Sequence, residues 1–158
     1  MNALVVYDSY FGNTERIAQA IGNALSNGQP VTVKAADQVT TAQLQAVDLL
    51  IVGSPTRGFR PTEGVNQLLK RMSGIDLAGK RVAAFDTRIR LETIESRPMR
   101  FMVKTGGFAA ATIAKQLKSK GGTLVAPPEG FTVDAEKGPL TDGELERAAA
   151  WAKQVAGA

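Results

Sequence analysis

Cysteine and histidine are both absent from the 158-residue chain. Their absence excludes disulfides, cysteine-ligated iron–sulfur clusters, thiol catalysis, Ser-His-Asp hydrolysis and histidine-ligated zinc. Any redox work then falls to a bound organic cofactor. Aromatic residues are sparse: one Trp, two Tyr and six Phe. The stacking platforms that single-stranded nucleic acid needs are therefore thin, and nucleic acid is not an expected partner. No apolar run approaches the ~18 residues of a membrane span, and no N-terminal signal segment is evident. No membrane association is expected, and the cytoplasm is the default location.

What is present points to one soluble domain over residues 1–158, large enough for a proper core. Lys and Arg number 19 against 15 Asp and Glu, a formal net charge of +4. Such a balance favours acidic partners, and it also serves plain solubility.

Apolar stretches and helical stripes alternate along the chain. A buried strand and a helix run from about Ala3 to Asn27, with Ile17, Ile21 and Leu25 inward. Val31–Val33 is a short second strand, Asp48–Gly53 a third, and Arg81–Phe85 a fourth that ends at Asp86-Thr87. Val65, Leu68, Leu69 and Met72 form one helical stripe behind a Thr62 cap, and Ile113 and Leu117 another. Residues 88–107 show no firm period and are long for a strand-to-helix loop, so they are functional or partly helical. Thr123–Val125 reads as the fifth strand, followed by a loop. Thr141-Asp142-Gly143-Glu144 reads as a capping box, opening a helix with Leu145, Ala148, Ala149, Ala152 and Val155 inward. Five strands alternating with helices predict an open α/β sheet, doubly wound with helices on both faces. Ligands sit past the carboxyl ends of such strands.

Three loops converge there. In the first, Ser9-Tyr10-Phe11-Gly12-Asn13-Thr14 joins a strand to a helix N-terminus, whose free N–H groups and dipole favour an anion. Ser9, Asn13 and Thr14 add side-chain donors, and Gly12 permits close backbone approach. With no lysine in the turn, it suits a phosphate held permanently better than one being transferred. An ordinary turn capped by Asn13 or Thr14 is the plainer alternative. The second loop holds Pro55, Thr56, Arg57, Gly58 and Phe59. The third holds Asp86, Thr87 and Arg88.

Together these loops resemble those of the flavodoxins, over essentially the whole chain. The turn at 9–14 is similar to the family's phosphate loop, a hydroxyl residue and two variable positions before Gly-Asn-Thr. Gly53-Ser54-Pro55-Thr56-Arg57-Gly58 is similar to the loop that flanks the isoalloxazine ring, with wording closer to the flavodoxin-type quinone reductases. The resemblance implies a five-stranded parallel sheet of order 2-1-3-4-5. It also implies FMN, with its phosphate on Ser9, Gly12, Asn13 and Thr14, and a Gly58-Phe59 peptide able to turn its carbonyl toward the flavin N5. Arg57 stands where many members carry a stacking Trp, and no Tyr lies between Asp86 and Met99. Phe59 and the flat guanidinium of Arg57 are the available faces. The sequence departs from the family's acidic surface as well: Arg57, Arg60, Arg88 and Arg90 are expected on the rim, which would steer an acidic redox-partner protein.

Two other motifs lead nowhere. Gly74-Ile75-Asp76-Leu77-Ala78-Gly79-Lys80-Arg81 mimics a P-loop but lacks the terminal Ser or Thr and precedes a strand. Asp8 ends the first strand without a second carboxylate beside it, so no metal site is expected. The expected function is an FMN electron carrier. The alternatives are an NAD(P)H-dependent quinone or flavin reductase, and a module of the same fold that has lost tight flavin binding.

Overall fold

The computed structural model describes residues 1–158 apart from Gly106. Its strands are β1 (Ala3–Tyr7), β2 (Val31–Ala35), β3 (Leu49–Pro55), β4 (Arg81–Ile89), β5 (Thr123–Leu124) and β6 (Glu129–Val133). Its α-helices are α1 (Asn13–Leu25), α2 (Thr41–Ala46), α3 (Glu63–Arg71), α4 (Arg97–Gly106), α5 (Ala109–Ser119) and α6 (Glu144–Gly157). The sheet order is β2-β1-β3-β4-β5, every pairing parallel. That is the order expected.

Alternation along the strands divides the core in two. Leu4, Val6, Leu50, Val52, Val82 and Ala84 face one layer, where Leu44 of α2, Val65 and Leu68 of α3, and Ile113 and Leu117 of α5 meet them. Ala3, Val5, Leu49, Ile51, Ala83 and Phe85 face the other, against Ile17 and Ile21 of α1 and Ala152 and Val155 of α6. Each such Leu, Ile or Val, wholly buried, contributes about 1.5–3 kcal/mol relative to exposure. Thr62 caps α3 as expected, accepting from the Val65 N–H at 3.4 Å.

Four local features refine the sequence reading. The fifth sheet position is shared. β5 pairs the start of β4, and β6 pairs its end from Phe85 to Ile89. Pro127-Pro128 lies between them, and proline has no N–H to give a ladder. The sequence predicts a loop over the residues of β6, although Phe131 and Val133 alternate inward. Second, β4 continues through Ile89, so Asp86, Thr87 and Arg88 lie in a strand and not in a loop. Third, residues 88–107 are partly helical, as expected: they hold the end of β4, a 3₁₀ turn at Leu91–Thr93 and α4; Gly106, within that segment, lies outside the described residues.

The fourth feature, the start of α6, departs from the expected capping box. Gly143, at φ 88°, is its N-cap, and no side chain caps it. Thr141 instead donates its hydroxyl to Asp134 at 2.9 Å. Glu144 turns back to the sheet, accepting from the Thr132 N–H at 2.7 Å and from Arg147 at 2.8 and 2.7 Å. Charge-assisted bonds of this kind are stronger than the neutral ones of a capping box. The inner stripe of α6 also includes Trp151, which packs edge-on to Phe85 and Phe131 at 6.2 and 6.0 Å between ring centroids.

Candidate functional site: a cavity at the carboxyl ends of β1, β3 and β4

A cavity of about 430 Å³ opens past the carboxyl ends of the strands. That volume lies within the usual range for small-molecule and cofactor sites. Ser9, Tyr10, Phe11, Asn13 and Thr14 wall it from the first loop, and Pro55 to Phe59 from the second. Thr87 and Arg88 form part of its floor. Gly12 and Asp86, also expected at the site, do not line it.

The first loop is organised by Ser9. Its hydroxyl oxygen accepts the N–H of Gly12 at 3.1 Å and of Glu15 at 3.4 Å. Gly12 takes φ 89° as the N-cap of α1, and no side chain caps the helix from that position. The plainer reading, a cap by Asn13 or Thr14, is therefore not what the structure has. Thr14 is buried and shares a 2.7 Å hydrogen bond with the Thr87 hydroxyl, tying α1 to β4. The Asn13 amide donates to the Lys137 carbonyl at 3.2 Å. Among the described residues nothing accepts from the backbone N–H groups of Tyr10, Phe11, Asn13 or Thr14. Such free donors at a helix start are what an anion needs.

The second loop is a tight reversal. Arg57 and Arg60 exchange N–H···O bonds of 2.9 and 3.1 Å across Gly58 and Phe59. Both central residues have positive φ, 55° and 68°. That is the geometry of a type I′ turn, which glycine accepts freely and phenylalanine does not. The Arg57 guanidinium lies 5.1 Å from the Tyr10 ring centroid and 5.8 Å from that of Phe11. It also pairs with Glu136 at 3.4 Å. Its charge thus lies beside this chain's own aromatics and Glu136.

The floor is a buried ion pair. Asp86 is wholly buried and grips Arg88 through two bonds of 2.7 Å, while also accepting the Ala110 N–H at 2.9 Å. Burial pushes the Asp86 carboxyl above its ordinary value; the Arg88 guanidinium and the Ala110 N–H oppose that shift. Arg88 in turn lies 3.6 Å from the centroid of the Phe108 ring. Gly130, the register partner of Asp86, leaves the room: a Cβ there would run into the guanidinium. So Asp86 acts on the cavity through Arg88, from beneath the wall.

The expected site residues do not include Ile89, Val103, Phe108, Val133 and Glu136, which also line the cavity, though Ile89 and Val103 fall in the 88–107 segment that the sequence marks as functional or partly helical. Val133 and Glu136 come with β6. The signal for them was the period-two pattern of Glu129–Val133, ending at the same edge as the other loops. Phe108 had no local signal. Lys80, from the P-loop mimic, donates to the carbonyls of Gln45 and Val47 at 2.6 and 2.9 Å and so finishes α2. No helix is long and apolar enough to cross a membrane among the described residues.

Residues 4–128 match the flavodoxin domain family. The protein belongs to that family. No curated protein sequence matches the chain. Among solved structures it is similar to a flavodoxin from the domain Archaea, at 25% identity and a TM-score of 0.79, covering 99% of this chain and 97% of that one. It is also similar to oxidised flavodoxin 2 from Bacillus cereus, at 24% identity, a TM-score of 0.79 and 99% coverage of both chains. A WrbA-like flavodoxin protein from Agrobacterium tumefaciens shares the fold at 22% identity and a TM-score of 0.71, with 99% and 95% coverage. Membership in the flavodoxin family implies a flavin site, and the cavity lies where the sheet topology puts a ligand.

Proposed function

We propose that the protein binds FMN without a covalent link in this cavity and works as an electron carrier. The observation that carries the reading is the row of unpartnered N–H groups at the start of α1, opening onto a cavity with aromatic walls. The donor set fits the group: neutral N–H groups and the Ser9 hydroxyl suit a phosphate, and Tyr10, Phe59 and Phe108 offer flat apolar faces for a ring system. FMN, when bound, supplies the one- and two-electron chemistry that the side chains of this chain lack.

The chain's own part is to bind, orient and shield. The 9–14 turn holds the phosphate end. The Arg57–Arg60 turn, itself strained at Phe59, sets one side of the ring site. The Asp86–Arg88 pair sets a cation in the floor and keeps it from swinging free. An acidic redox protein is the proposed partner, given the net charge of +4. The rim contributes less to this than its four arginines suggest. Arg57, Arg88 and Arg90 each face a carboxylate, Glu136, Asp86 and Asp134, at 3.4, 2.7 and 3.9 Å.

The test is the visible absorption of the purified protein after incubation with FMN and removal of free ligand. Retained absorption of oxidised flavin at a one-to-one ratio supports the reading, and a colourless protein refutes it. NAD(P)H oxidation by the loaded protein with a quinone as acceptor separates a reductase, which turns over, from a carrier, which does not.

A further inference from the structure

The 9–14 turn contains no cation, and several of its side-chain donors are already engaged. Asn13 donates to the Lys137 carbonyl, and the Thr14 hydroxyl is bonded to Thr87. A phosphate there would carry up to two negative charges against neutral N–H groups alone. Two cations reach the turn from elsewhere. Arg57 is one, and it is paired with Glu136. The other is Lys137, whose ammonium lies 6.0 Å from the centroid of the Phe11 ring. No carboxylate pairs with Lys137 among the described residues.

Lys137 is held in place by its backbone. The Asn13 amide grips its carbonyl at 3.2 Å, across 124 positions of sequence. Gly138, at φ 109°, packs against the same amide so closely that a Cβ would stand 3.0 Å from it. The segment after β6 is therefore latched to the start of α1, and its one unpaired cation stands beside the turn.

We propose that residues 136–138 complete the phosphate site, with Lys137 as the cation that the 9–14 turn lacks and Asn13 as the residue that positions it. The proposal rests on the FMN reading and deepens it. Glu136 keeps Arg57 occupied, which leaves the ammonium of Lys137 for the ligand. Asn13 then acts on the phosphate through Lys137 as well as through its own N–H.

Fluorescence titrations of the apo-protein with FMN and with riboflavin, which has no phosphate, test this. Lys137 is exposed, so its substitution leaves the fold intact. Lys137→Gln should weaken FMN roughly three- to tenfold, the scale of a partly exposed ion pair with a multiply charged partner. Riboflavin affinity should stay within about twofold, and the salt dependence of FMN binding should fall. Lys137→Arg should restore FMN. Asn13→Ala should act in the same direction, and adding it to Lys137→Gln should cost less than the two singly, because they share one contact. A Lys137→Gln protein with the wild-type FMN-to-riboflavin ratio and salt dependence overturns the assignment while leaving FMN binding in place. A wild-type protein that binds both ligands equally overturns the phosphate site and this inference while leaving FMN binding in place, and one that binds neither overturns the FMN reading as well.

Discussion

Gly53 stands opposite Phe85 in the pairing of β3 with β4, and a Cβ at that position would run into the Phe85 ring. Gly53→Ala should therefore destabilise by about 1–3 kcal/mol, the cost of overpacking a close-packed core. Phe85→Leu in the same chain should recover part of the loss. Urea denaturation checks both, and an unchanged midpoint for Gly53→Ala would show that the ring simply moves aside. Phe59 is the opposite case. At φ 68° it occupies a region that costs a non-glycine residue about 1–2 kcal/mol. Phe59→Gly relieves that strain but loosens the unfolded chain, so stability should hold or rise by up to about 1 kcal/mol. FMN affinity should fall, because the aromatic wall is lost. If stability falls and FMN affinity stays, Phe59 is a packing residue and its strain has no bearing on the site.

Among the elements, α4 is unlike the other helices. It belongs to neither core cluster, and Met99, Phe101 and Met102 on it are 50, 68 and 52% exposed. A ten-residue helix that leaves most of its apolar side chains exposed is marginal by itself. Val103 nevertheless reaches the cavity wall. Hydrogen exchange at 97–105 should be fast in the apo-protein and slower with FMN bound, and equal protection in both states would detach α4 from the site. The join of α6 to β6 behaves differently, because a charge holds it. Burial alone would raise the Glu144 carboxyl. The Arg147 side chain and the Thr132 N–H outweigh it and hold the group below its ordinary value. A carboxyl lowered in the folded state stabilises fully above its unfolded value of about 4.3, and that contribution is lost as pH falls through the folded value. Glu144→Gln should thus lower stability at pH 7 by about 1–3 kcal/mol and lessen the loss of stability on acidification. Parallel acid limbs for the two proteins in thermal unfolding would remove Glu144 from the explanation.

The whole molecule carries a net charge of +4, while most of the arginines near the cavity are paired. The expected steering of an acidic partner is therefore a property of the overall field more than of the rim. Electron transfer from the FMN-loaded protein to an acidic redox protein should slow as ionic strength rises, with the change in kon and little in koff. Replacing Arg57 and Glu136 together by Gln should barely alter that slope, because their two charges already cancel. A rate indifferent to salt, or a slope that collapses in the Arg57→Gln/Glu136→Gln double variant, would show that the overall charge does not steer the partner.

The alternation of strands and helices and the two helical layers were legible in the sequence because they rest on local periodicity, whereas the order of the strands followed from the resemblance of the loops to those of the flavodoxins. Buried strands read as unbroken apolar runs, and helices such as α1 and α3 show their inner stripe at four-residue spacing. The turn at 9–14 was legible for a related reason: a strand, a short polar turn and a helix are consecutive in the chain. Tertiary structure alone decided what those groups do. Asn13 meets Lys137, Thr14 meets Thr87, Arg57 meets Tyr10 and Glu136, and Asp86 is drawn beneath the wall by Arg88 and Ala110. Most of these contacts join residues far apart in sequence, and the one that does not, Asp86 to Arg88, depended on β4 running further than its apolar core. A donor's partner is set by which side chains the folded sheet brings within about 3 Å, and no local pattern encodes that distance.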